Sequence, residues 1–284
     1  MWRLLHLTYT SALQNQSMNE IRPKIPDPIQ REVRQKCFFG CIFCGFPLFH
    51  YDHIIDYSIV KKHEAENLVL LCANHHFDKT SGRLTRDAVA EQAKRPFNKD
   101  KTFSPGYQIV PGGSVNVTLG TNSVKNQFSG GNQDHSCIWI NGGHYLILHS
   151  EEQGLSISAY LTDTQGKPLL RIDHGEIGVN LANWDYEWVG KTITIREKLG
   201  SIILLADFSN EGIEIKKGSF ISVEGDGFVI EKDRLYWMFD GKIAPGYSMG
   251  SLSESNGYGA FGLFNSKHCS LEKPSGFGFF RSDI

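Results

Sequence analysis

The sequence predicts an α+β protein: a small N-terminal unit stapled by a metal, followed by a mainly antiparallel β domain. Three observations carry this. Four of the six cysteines, Cys37, Cys41, Cys44 and Cys72, fall within 36 residues. Beyond Ser104 the apolar residues change from helical to strand-like spacing, with Gly, Asn and Asp turns between short β-rich segments. The charge divides at the same place, with 15 Lys and Arg against 11 Asp and Glu in residues 1–104, and 14 against 20 in residues 105–284. A length of 284 residues suits two domains at about 100–200 residues each. With 40% hydrophobic and 21% charged residues, a disordered or collagen-like chain is excluded. No run approaches the roughly 18 apolar residues of a membrane-crossing helix, so no membrane partner is expected.

Residues 1–22 read as an extension, because the apolar patch before His6 is shorter than the ~7–15 residues of a leader peptide. Residues 23–104 form the first unit. Asp27 as cap, Pro28 at the first helical position and Gln30 three residues after the cap predict a helix to about Lys36. Cys41 to Gly45 is a tight turn carrying two thiols, and 46–55 reads as a hairpin-like stretch. The run Leu68-Val69-Leu70-Leu71 predicts a buried strand, 74–80 a helix, and 85–93 an amphipathic helix stopped by Pro96. Residues 105–240 form a β-rich domain with strands at 114–119, 145–149, 155–161, 168–172, 192–196 and 202–208, arranged as a sandwich, barrel or solenoid. Residues 241–284 are rich in Gly and aromatics, and loops with short strands are expected there.

Clustered thiols favour metal binding in a reducing, cytoplasmic compartment over a disulfide scaffold. Cys41-x-x-Cys44 and Cys72-x-x-His75 supply three sulfurs and one imidazole, a donor set that closes a tetrahedral Zn²⁺ shell and leaves no position for substrate. This zinc is expected to be structural, because a segment of roughly 40 residues buries too little apolar surface to fold alone. Zinc does not account for Asp52, His53, Asn67 and His76. A carboxylate and an imidazole suit a divalent ion that keeps water ligands, and a further histidine suits proton abstraction from water.

Cys41-x-x-Cys44, Tyr51-Asp52-His53-Ile54, Glu66-Asn67-Leu68-x-x-Leu71-Cys72 and His75-His76-x-x-Lys79-Thr80 resemble, in that order, the HNH nucleases. These are the zinc-containing branch of the ββα-metal or His-Me finger endonucleases, and the resemblance spans about Ile25 to Asn98. In the family the second knuckle is often C-x-x-C followed at once by His; here His75 stands for the fourth Cys and the register is kept. The resemblance implies a ββα finger with His53 as general base at the end of the first strand. It implies Asn67 near the second strand, fixing the His53 segment, and Asp52 and His76 as ligands of a catalytic Mg²⁺ or Mn²⁺. Hydrolysis of DNA to 5′-phosphate products follows, with RNA as the alternative substrate. Lys79 and Arg83 are candidates for phosphate contact. His63 is read as solvated or locally hydrogen-bonded, with no catalytic role.

The β-rich half resembles modules that follow HNH fingers in small bacterial proteins, some suspected of defence against mobile DNA. Residues 163–172, Trp184-Asp185 and 193–196 carry that likeness, and none is a catalytic signature. A protein partner or an oligomer through this domain is open. Gly257-x-Gly259-x-x-Gly262 and Gly246-x-Ser248-x-Gly250 match nucleotide-loop and nucleophile-elbow patterns without the strand-turn-helix context either needs. Two function classes remain: a metal-dependent endonuclease, or a catalytically idle zinc finger for nucleic-acid binding or assembly.

Overall fold

The computed structural model describes residues 22–108, 115–127, 132–151, 154–209, 212–232, 234–247, 251–255, 259–268 and 277–281. Most of the extension at 1–22 and Cys269 lie outside them. Pro28 sits in the first turn of α1 (Asp27–Lys36), where its missing N–H has no helical partner to lose. Pro26, not Asp27, takes the cap position. Pro26 has no N–H for Gln30 to accept, so the Gln30 amide donates to the Ile25 carbonyl at 2.7 Å instead.

The rest of the N-terminal unit comprises β1 (His50–His53), α2 (Tyr57–Val60), a 3₁₀ turn (Ala65–Asn67), β2 (Leu68–Leu71), α3 (Ala73–Thr80) and α4 (Arg86–Ala93). β1 and β2 pair antiparallel, with His50 opposite Leu71 and His53 opposite Leu68. All four β2 side chains are buried, as expected of a continuous apolar run covered on both faces. Thr85 caps α4 by accepting the Ala88 N–H at 3.2 Å. β2, Val33, Cys41, Ile42 and Val89 form a core separate from that of the β domain.

In the β domain the expected strands appear at Val115–Leu119, Gly143–Glu151, Gly154–Thr162, Pro168–Asp173, Thr192–Lys198 and Ser201–Ser209. Successive strands pair mainly antiparallel. The ten-residue strand Gly212–Ile221 is a hub: Ser201–Ser209 and Gly227–Glu231 pair antiparallel with it, and Val115–Leu119 pairs parallel. The C-terminal region is more strand-rich than its composition indicates. Ser251–Ser255 and Gly259–Asn265 pair parallel with Asn122–Gln127 and Gln133–Ile140. Across one sheet face, Asp134 and Ser158 hold the two ring nitrogens of His149 at 2.7 and 2.8 Å. The Ser158 hydroxyl also accepts the His174 N–H at 3.0 Å, tying these strands to the turn beyond Asp173.

The two units share a built interface. Phe39, held at φ 53°, inserts into the β-domain core against Tyr186. Arg34 on α1 is 4% exposed and donates Nε and Nη2 to the two Asp185 carboxylate oxygens at 2.8 and 2.9 Å. Its Nη1 donates to the Tyr51 hydroxyl at 2.6 Å, and Arg196 also holds Asp185, at 3.1 Å. Arg31 stacks over Trp184, so Trp184 and Asp185 dock the N-terminal unit. Replacing Asp185 with Ala strands Arg34 in the interface and is expected to cost about 3–5 kcal/mol in denaturant unfolding.

Buried Asp207 supplies a second test. Burial by itself raises its pKa, but the Thr192 hydroxyl and the Lys216 and Lys191 ammonium groups outweigh it, and the pKa lies below 3.8. A carboxyl depressed in the folded state contributes stability that is complete above its unfolded pKa and is lost as pH falls through the folded one. Asp207→Asn is therefore expected to destabilise the protein at pH about 7, with the gap to wild type narrowing below pH about 4 in paired unfolding curves.

Candidate active site

The residues that could hold a metal come from three local devices. Cys41 and Cys44 lie in a knuckle closed by Gly45 N–H donating to Cys41 O at 2.7 Å and Cys41 N–H donating to Phe46 O at 3.0 Å. Gly45 adopts φ +75°, a conformation that L side chains rarely take. Asn98, 1% exposed, pins this turn by donating to the Phe38 and Gly45 carbonyls at 3.1 and 2.9 Å. Cys72 is the N-cap of α3, which places His75 one turn on.

The donor atoms of Cys41, Cys44, Cys72 and His75 all lie within 4.8 Å of one another. Cys44 and Cys72 sulfurs are 3.8 Å apart, and His75 Nδ1 is 3.3 and 3.2 Å from the Cys41 and Cys72 sulfurs. A tetrahedral ion with bonds of about 2.3 Å to sulfur and 2.0–2.1 Å to nitrogen sets sulfurs about 3.8 Å apart and sulfur from nitrogen about 3.6 Å. The set could hold a zinc, and four protein donors fill the tetrahedral shell. A thiol hydrogen bond from Cys44 lowers the Cys41 pKa and raises that of Cys44, so Cys41 is the member of the pair that ionises first. Phe43 stacks on the His75 ring at 5.0 Å. Cys37 stands outside the set, and burial raises its pKa to about 11.

Beside this centre lies the ββα unit of β1, β2 and α3. His53 is the last residue of β1, Asn67 the last of the 3₁₀ turn leading into β2, and His76 lies on α3. Asn67 clamps the chain just after His53, accepting the Ile55 N–H and donating to the Ile55 carbonyl, each at 2.8 Å. Strand alternation puts Asp52 on the face of His50, and His53 on the other. α3 crosses the Asp52 face with His76, whose ring is 5.6 Å from that of His50, and with Lys79. Among the described residues, Asp52 and His76 do not join a third His, Cys or carboxylate in a group as tight as the cysteine set. One carboxylate and one imidazole on a partly open face suit an ion that keeps most of its water ligands.

Lys79 differs from the phosphate-contacting role expected of it. Its side chain is 10% exposed, and its ammonium donates to Asp52 at 3.1 Å and to the His53 carbonyl at 2.7 Å, a buried bond within the finger. Arg83 lies at the surface, donates to Asp78 at 3.0 Å and stacks over Phe77.

Residues 41–82 match the family model of HNH endonuclease. This segment is an HNH domain. No curated protein and no solved structure matches the chain.

Three partners of the HNH site were not legible as such. His63, read as solvated or locally hydrogen-bonded and without a catalytic role, has its Nδ1 3.1 Å from His53 Nε2 and its ring stacked on Tyr57 at 4.8 Å. Arg22, from the residues read as extension, donates Nη2 to His53 Nδ1 at 2.8 Å. His50 was passed over on β1, where period-two spacing from Asp52 was the available signal. Burial lowers the His53 pKa from its ordinary 6.5, and the Arg22 and His63 charges lower it further. The Gly-rich patterns carry nothing here: Gly259–Asn265 is a strand, and residues 248–250 and 257 lie outside the described residues.

Cys41→Ala is expected to lose metal content and thermal stability together, whereas Cys37→Ala keeps its metal, as read by a colorimetric chelator beside thermal unfolding.

Proposed function

We propose that this chain is a metal-dependent endonuclease that hydrolyses DNA phosphodiesters at its HNH domain, with the zinc structural and the β domain targeting or restraining the cut. The observation that supports it most is the arrangement of four side chains on one ββα unit. Asp52 and His53 close β1, Asn67 clamps the chain leaving it, and His76 faces the same strand from α3. Asp52 and His76 would hold Mg²⁺ or Mn²⁺, which when bound supplies positive charge to the phosphate and to the departing oxygen. His53 takes the proton of the attacking water at a ring nitrogen, and desolvation keeps the imidazole neutral for that step. Asn67 sets the path of the backbone after the base. Lys79 holds the Asp52 carboxylate and the His53 carbonyl in one geometry. Exposed Arg83 is available to a phosphate of the substrate. The five described cysteines form no disulfide, which suits a reducing, cytoplasmic setting, and a cut restrained by a second domain suits defence against foreign DNA.

The test is an assay on supercoiled plasmid, linear DNA and RNA with Mg²⁺, Mn²⁺ or chelator. Wild type is expected to nick or linearise DNA only with a divalent ion. His53→Ala is expected to lose at least about 100-fold in rate while zinc content and unfolding temperature stay unchanged. Equal cleavage by the variant would identify a contaminant and remove His53 from the site. DNA binding without cleavage under every condition would favour the idle zinc-finger alternative.

A further inference from the structure

His53 has both ring nitrogens engaged, and the chemistry of the partners assigns every proton. Arg22 Nη2 lies 2.8 Å from His53 Nδ1. A guanidinium only donates, so Nδ1 carries a lone pair and no hydrogen. The hydrogen of neutral His53 is then on Nε2, which lies 3.1 Å from His63 Nδ1. His63 Nδ1 accepts it, beside the Lys62 carbonyl that also bonds the His53 ring, which puts the His63 hydrogen on Nε2, 2.9 Å from the Pro23 carbonyl. A carbonyl only accepts, so the far end of the chain demands the same assignment as the near end. Donor and acceptor come from consecutive residues, Arg22 and Pro23, and the bonds run one way from the guanidinium through both imidazoles to the carbonyl. Turning either ring to its other tautomer would set two N–H groups or two lone pairs face to face.

We infer that His63 is a positioning residue of the HNH site, holding His53 in the Nε2–H tautomer so that Nδ1 is the nitrogen that accepts the proton. This rests on the nuclease reading of His53. An imidazole base works only when the bare nitrogen faces the water it deprotonates, and a neighbouring acceptor on the other nitrogen secures that choice. The Tyr57 ring stacked on His63 and the Pro23 carbonyl behind it hold the acceptor in place. Arg22 covers the same lone pair, so its guanidinium must leave Nδ1 before water binds there. A phosphate oxygen is a stronger acceptor for a guanidinium than an imidazole nitrogen is, so an incoming substrate supplies the pull.

Two variants separate acceptor from packing. His63→Phe keeps a ring to stack on Tyr57 and removes the acceptor, and His63→Asn restores an acceptor near the position of Nδ1. Full-length, zinc-loaded protein with ¹⁵N-labelled histidine is examined by NMR at pH about 8, and the same samples are assayed on supercoiled plasmid with Mg²⁺ or Mn²⁺. In wild type, His53 Nδ1 is expected to give the signal of a bare nitrogen and Nε2 that of a protonated one. In His63→Phe the two signals move toward each other as the tautomers mix, and kcat falls about 10- to 100-fold with KM little changed. His63→Asn restores the wild-type pattern and most of kcat. His53 nitrogen signals unmoved in His63→Phe, or cleavage by that variant within about twofold of wild type, would overturn the inference. Should wild type cut nothing while the signals behave as expected, the hydrogen-bond assignment stands and the nuclease reading beneath it falls.

Discussion

The four-donor set of Cys41, Cys44, Cys72 and His75 is the constraint on which the N-terminal unit depends. It joins a knuckle before β1 to the first turn of α3, across 34 residues of chain. With α3 so anchored, His76 and Lys79 fall one and two turns along the face that meets β1, opposite His50 and Asp52. The finger has only a small apolar core, centred on β2, and a metal held by the four donors would add a free energy of folding that burial at this size does not supply. A metal held by this set would thus couple ligation to the placement of the polar side chains.

A second interaction determines how this finger is carried. Arg34 leaves α1 toward the β domain and is taken up by Asp185, while its remaining nitrogen reaches Tyr51, the residue before Asp52. Burying a guanidinium is costly unless every donor finds a partner, and here Asp185, Glu187 and Tyr51 share them. The pair adds little net stability over an apolar contact of the same size, and losing either partner would leave a buried charge unmatched. Because Tyr51 belongs to β1, the Arg34 side chain ties the strand that ends in Asp52 and His53 to the β domain. Movement at that interface has a short physical route to the site.

Local patterns were the legible part. Pro28, the run 68–71 and Thr85 each act within a few residues of themselves, and α1, β2 and α4 appear where those signals place them. The knuckles were equally readable, because sulfur and imidazole at fixed spacing have few other uses. Lys79 was less so. A lysine three residues after His76 on a helix reads as exposed and free for phosphate, and only the approach of α3 to β1 shows that Asp52 and the His53 carbonyl claim it.

His63 and Arg22 were invisible for the same reason in stronger form. His63 sits in the charged run Lys61 to Glu64, with no apolar period to orient it, and it reaches His53 because Lys61 turns the chain back at φ 53°. Arg22 meets His53 across 31 residues. What the sequence alone determined is the inventory: three thiols and an imidazole at knuckle spacing, an Asp-His pair on a short strand, and a β-rich region to follow. What the tertiary structure decided is which groups touch that pair. Composition and spacing act along the chain, whereas a hydrogen bond between distant residues exists only after folding has brought them within about 3 Å.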